Sequence, residues 1–146
     1  MQKSELTSFY SDILQQGLAR FDLALGIVSR IENTNYQVVM VLPDNGAFTA
    51  GDIFPLQDTY CREVATNKTT VALTQLNGVP GLCKHPLYSG LPLESYISTP
   101  ILLDGNVWGT LNFSSMKIRD HDFSQDDIEQ IKHWAGLLAE KIKSQK

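Results

Sequence analysis

The stretch from Leu93 to Ser115, Leu-Glu-Ser-Tyr-Ile-Ser-Thr-Pro-Ile-Leu-Leu-Asp-Gly-Asn-Val-Trp-Gly-Thr-Leu-Asn-Phe-Ser-Ser, constrains the fold more than any other part of the chain. Two runs of alternating apolar and polar residues meet at Asp104-Gly105. An Asp-Gly pair tolerates the positive φ of a type I′ turn, and the twist of that turn matches the strands it joins. The stretch therefore predicts an antiparallel hairpin. A helix follows it: Ser124 stands at an N-cap position, Asp127 lies three residues on, and Phe123 with Ile128 forms a hydrophobic staple across the cap. Ile128, Ile131, Ala135, Leu138 and Ile142 then recur at spacings of three and four, an apolar seam of the a/d type.

Upstream, Leu6, Phe9, Tyr10, Ile13, Leu14, Gly17, Leu18 and Phe21 keep the same spacings and predict an amphipathic helix from about Glu5 to Arg20. Gly17 weakens that helix by about 1 kcal/mol relative to Ala, which calls for either a close approach or a bend. Leu23–Ile31 and Tyr36–Leu42 read as a hairpin around Asn33-Thr34-Asn35, and their nearly continuous apolar character suits strands covered on both faces. Pro43 to Gly51 is loop, Asp52–Leu56 a short extended piece, and Asp58 the cap of a short helix over Thr59–Asn67. Thr69–Leu73 is a further strand, and Gln75–Leu93, with its prolines and glycines, a long loop. This order predicts an α+β sandwich: an antiparallel sheet of five to six strands with helices packed on it.

At 146 residues the chain fits one domain, residues 1–146. Its formal charge of -4 gives no support for nucleic-acid binding, which rests on a clustered basic face. Lys141, Lys143 and Lys146 suit the negative end of the last helix instead. No basic leader precedes an apolar run and no apolar run spans a bilayer, so the expectation is a cytoplasmic protein without a membrane partner. Two cysteines, Cys61 and Cys83, make no disulfide scaffold in a reducing compartment.

Four stretches resemble the GAF domains of bacterial histidine kinases and diguanylate cyclases. Leu25-Gly26-Ile27-Val28-Ser29-Arg30-Ile31 is similar to the first strand of that family, and Phe54-Pro55-Leu56-Gln57-Asp58-Thr59-Tyr60-Cys61 to the segment entering its pocket helix. His85-Pro86-Leu87-Tyr88 and Leu93-Glu94-Ser95-Tyr96-Ile97 resemble the loop and strand opposite. Gly109-Thr110-Leu111-Asn112-Phe113-Ser114-Ser115, with Phe123-Ser124 and Asp127, resembles the closing strand and helix start. The resemblance implies terminal helices on one face of the sheet and a ligand pocket under loops on the other. It places Ser29, Thr99, Thr110 and Asn112 on the pocket floor, and Phe54, Tyr60, Cys61, His85 and Tyr88 in its lid. It also implies a homodimer built through the first and last helices, and a kinase or cyclase as output domain.

Each candidate has a plainer reading beside it. Thr99, Thr110 and Asn112 face a ligand, or they point outward or bond one another across the hairpin. Glu94 pairs with a cationic ligand group or caps loop backbone donors. Trp108 and Trp134 suit core or interface packing more than ligand stacking. Cys61, Cys83 and His85 lack the fourth ligand a structural zinc wants, so no metal is expected. The Asn-Lys-Phe-Asp-Glu sequence of cyclic-nucleotide-binding members is absent, and Cys83 and His85 are separated by Lys84, unlike the bilin-binding pair, so neither cofactor is expected.

The resulting expectation is a sensory GAF domain, not an enzyme, that holds an unknown small molecule and relays its presence through the last helix. Two alternatives stand. One is a thiol enzyme like the free methionine-R-sulfoxide reductases built on this fold, with Cys83 attacking the sulfoxide and Cys61 as the resolving thiol. The other is a scaffold whose pocket has collapsed.

Overall fold

The computed structural model describes residues 2–42, 50–55, 68–73, 95–115 and 123–144. Helix α1 spans Gln2–Phe21, and strands β1 (Leu25–Glu32) and β2 (Asn35–Leu42) follow. Two short strands, β3 (Ile53–Pro55) and β4 (Val71–Leu73), precede the long hairpin of β5 (Ser95–Leu103) and β6 (Asn106–Ser115). Helix α2, Gln125–Ser144, completes the described elements. The strands form one six-stranded sheet in the order β3-β2-β1-β6-β5-β4, with every pair antiparallel. The architecture is the α+β sandwich expected from the order of elements, with α1 against β1, β2 and β6 and α2 against β5 and β6.

Local chemistry accounts for the elements. Asp104 and Gly105 hold φ of 53° and 82°, the two left-handed positions of a type I′ turn. Asn33, at φ 60°, opens the tight β1–β2 turn, where asparagine tolerates that conformation better than most residues. At the start of α2 the Asp127 amide donates to Ser124 Oγ at 3.0 Å, and the Ser124 amide donates to Asp127 Oδ2 at 3.0 Å. The reciprocal pair satisfies two backbone donors that the helix itself leaves free.

The core lies between the helices and the sheet. Phe21 meets the rings of Phe113, Phe123 and Trp134 edge-on at centroid distances of 5.4, 5.9 and 5.9 Å. Gly17 resolves as a close approach: a Cβ there would overlap the ring of Phe113, so the bare backbone of α1 is what lets β6 and α1 pack. Trp134 is core, whereas Trp108 is half-buried under the Arg30 guanidinium, 5.6 Å from its ring centre.

The apolar seam of α2 is occupied within the chain. Ile131, Ala135, Leu138 and Ile142 are buried within this one chain, in the cluster that also holds Tyr10, Ile13 and Leu14 of α1 and Ile97, Ile101 and Leu111 of the sheet. These four seam residues are covered by the chain's own sheet and by α1, and Ile128 is half-buried at the edge of the cluster.

Candidate functional site

Side chains alternate along β6. Leu111 and Phe113 pack under the helices, so Thr110, Asn112 and Ser114 point to the opposite face. Register then assigns their neighbours. Ser29 and Ile27 of β1 stand beside Thr110 and Asn112, and Ser98 and Tyr96 of β5 stand beside Asn112 and Ser114. This second face is buried as well, with Leu25, Ile27, Tyr36, Val38, Val41 and Tyr96 as apolar members that stay outside the helix-side core.

A polar network runs through the middle of this face. The Ser29 and Thr110 hydroxyls lie 2.6 Å apart across the β1–β6 pair, and the Thr110 amide donates to Ser29 Oγ at 3.1 Å. Asn112 Nδ2 donates to Tyr36 Oη and to Thr110 Oγ1, both at 3.3 Å. Ser114 extends the line; it is 1% exposed, and its Oγ has no hydrogen-bond partner among the described residues. An orphaned buried hydroxyl costs about 1–3 kcal/mol, which a ligand group or an ordered water offsets. The β1, β5 and β6 residues described on this face carry no charge. The surface is therefore suited to reading hydroxyl, amide or carbonyl groups by direct hydrogen bonds.

The structure thus brings Ser29, Thr110 and Asn112 together, and it separates Thr99 from them. Thr99 pairs opposite Leu111, on the helix side of the sheet, where its hydroxyl lies 2.8 Å from that of Thr70. The cause is a bulge. The hairpin runs in simple register from its turn until Leu102–Val107, then slips so that Ile101 faces Gly109. The extra residue in β6 is Trp108, and a slip of one residue moves every later side chain to the other face. Ser98, not Thr99, stands beside Asn112 on the polar face. Tyr36 and Ser114 also belong to this face and were not singled out by the sequence; the Ser114 position follows from plain alternation with Asn112. Phe54 lies in β3, paired with Tyr36 at the sheet edge. Tyr60, Cys61, Cys83, His85, Tyr88 and Glu94 lie outside the described residues. Among the described residues no group of three His, Cys, Asp or Glu side chains is placed to hold a metal ion, and no helix is long and apolar enough to cross a membrane.

Comparison with known proteins agrees with this architecture. Type II free methionine-R-sulfoxide reductase from Thermoplasma acidophilum superposes with a TM-score of 0.78 at 16% identity, over 99% of this chain and 96% of that one. The GAF domain region of a Geobacter sulfurreducens protein gives 0.78 at 20% identity, over 98% and 96%. The GAF domain of PixJ from Thermosynechococcus elongatus, in its blue-light absorbing form, gives 0.76 at 15% identity, over 98% and 88%. A comparison with curated protein sequences returns no match. The family model of the GAF domain matches residues 5–142, nearly the whole sheet and both helices, and the chain belongs to the GAF domain family.

Proposed function

We propose that this GAF domain is a sensory module that binds a small polar molecule against Ser29, Thr110, Asn112 and Ser114. The observation that carries the reading is the Ser114 hydroxyl, buried and unpartnered among the described residues at the end of a neutral hydrogen-bonding line. A structural network alone gains nothing from an orphan in that position, whereas a ligand acceptor or donor would complete it. The chain acts by binding and not by catalysis, in a cytoplasmic signalling protein of bacterial type. Occupancy is passed through β6 to the terminal helices, and from them to an output partner such as a kinase or cyclase. Any homodimer is formed by the outer surfaces of α1 and α2, since the apolar seam of α2 is occupied within the chain.

A thermal-shift screen of amino acids, 2-oxo acids, nucleotides and methionine sulfoxide tests this reading. A ligand at one hundred times its Kd stabilises the fold by about 2.7 kcal/mol. The expected result is a hit whose shift is lost in Asn112→Leu and Ser114→Val. No hit, or a hit indifferent to both variants, overturns the assignment of this face. Turnover of methionine sulfoxide that disappears in Cys83→Ser would replace the sensory reading with the enzymatic one. Sedimentation velocity at high micromolar concentration tests the dimer, which a purely monomeric profile would exclude.

A further inference from the structure

A groove of about 410 Å³ runs along the helix-bearing side of the sheet, between α2 and the strands at the β4–β5 edge, away from the polar face described above. Packing of the chain itself leaves several of its features unexplained. Gly136 sits in the middle of α2, where glycine costs about 1 kcal/mol relative to Ala. A Cβ at Gly136 would meet no atom within 4 Å, unlike one at Gly17 or Gly109. Thr99 is 3% exposed and, among the described residues, shares a single hydrogen bond with Thr70. Two hydroxyls joined by one bond leave one proton undonated, and both residues line the groove.

Lys68 and Lys132 add positive charge to the same groove. Lys68 gives one of its three protons to the Gly105 carbonyl at 3.0 Å and keeps two with no acceptor among the described residues. Lys132 is 4.0 Å from Glu129 in an exposed pair that contributes little. Lys132 stands on α2 beside Ile128, Ala135 and Ala139, whose apolar surface is interrupted by the open backbone at Gly136, and Lys68 lies on the strand side of the groove. The volume lies at the lower end of the range of about 300–1,000 Å³ for small-molecule sites.

We infer that this groove is a second binding site, separate from the polar face, for a small amphipathic carboxylate. The carboxylate sits between Lys68 and Lys132 and accepts the spare threonine proton, and its alkyl body lies along Ala135, Gly136 and Ala139. A carboxylate with an alkyl body suits the groove better than a compact inorganic anion because apolar surface on α2 adjoins the two cations.

Titration of hexanoate into ¹⁵N-labelled protein, followed by amide chemical shifts, tests the assignment. Saturable shifts are expected at Thr99, Lys132, Ala135 and Gly136, with none centred on Thr110 or Asn112, and hexylammonium should leave all of them unmoved. Loss of one charge-assisted contact in Lys132→Ala should weaken hexanoate by about tenfold. Gly136→Leu fills open space on an exposed helix position, so it should fold at least as stably as the parent while losing the response. Absence of saturable shifts, equal shifts with hexylammonium, or undiminished binding by folded Gly136→Leu would each overturn the site. Shifts centred on Thr110 and Asn112 would also overturn it, while supporting a ligand on the other face.

Discussion

Glycine serves opposite ends at three positions in this chain, and single substitutions separate them. At Gly109 a methyl group would overlap the Ser29 carbonyl oxygen, a backbone atom that cannot yield without parting β1 from β6. Gly109→Ala should therefore cost about 3 kcal/mol or more in urea unfolding. At Gly17 the obstacle is the Phe113 ring, which has only a packed core to move into; Gly17→Ala should cost about 1–3 kcal/mol despite its better helix propensity. Gly136→Ala, by contrast, should stabilise by about 1 kcal/mol. Tyr10 supplies a pH dependence at this same scale. Burial raises its pKa from 10.0 to about 12, against a smaller lowering by the Arg30 charge. The folded state thus keeps the phenol neutral where the unfolded chain ionises it. Stability held below pH 10 should fall by about 2–3 kcal/mol as pH rises to 12, and Tyr10→Phe should flatten that slope in unfolding curves. Sequence alone named three members of the polar line, Ser29, Thr110 and Asn112, but misassigned Thr99. Counting outward from the Asp104-Gly105 turn pairs Thr99 with Thr110, and only the extra residue at Trp108 shows that Ser98 shares the face of Asn112.

Elements whose identity rests on short-range chemistry were legible in the sequence for that reason. The Asp-Gly turn, the Ser124–Asp127 box and the three-four spacing of both helices each depend on residues within a few positions of one another. Bulges are different. The register slips at Val28/Ser29 and at Ile101/Leu102 involve pairing between strands, and no local residue pattern announced them. The cap of α2 yields a clean element-scale test. Ser124→Ala and Asp127→Ala should each cost about 1 kcal/mol. Because each side chain bonds the other's backbone amide, circular dichroism thermal melts of the double variant should check whether the two losses add. The two bonds close the same helix start, and Asp127 also pairs with Arg20 at 3.3 Å, so the losses should depart from additivity by about 0.5 kcal/mol or more.

For the whole molecule, the α2 seam is a matter of what one chain can bury by itself. Ile131 and Leu138 are fully enclosed by their own sheet and by α1. Ile131→Ala should lower unfolding stability by about 2–5 kcal/mol, and that loss should not depend on protein concentration, as it would if a partner subunit covered the seam. The sequence pattern could not distinguish these cases, since a helix facing a sheet and a helix facing another helix place apolar residues at the same spacing. Meanwhile β6 carries consecutive residues into two separate interiors, Asn112 into the hydrogen-bonded face and Phe113 into the notch at Gly17. With the ring wedged against bare helix backbone there is no slack in that joint. The strand is thereby a single partition shared by two interiors, and a substitution that displaces it on one side is felt as lost packing on the other.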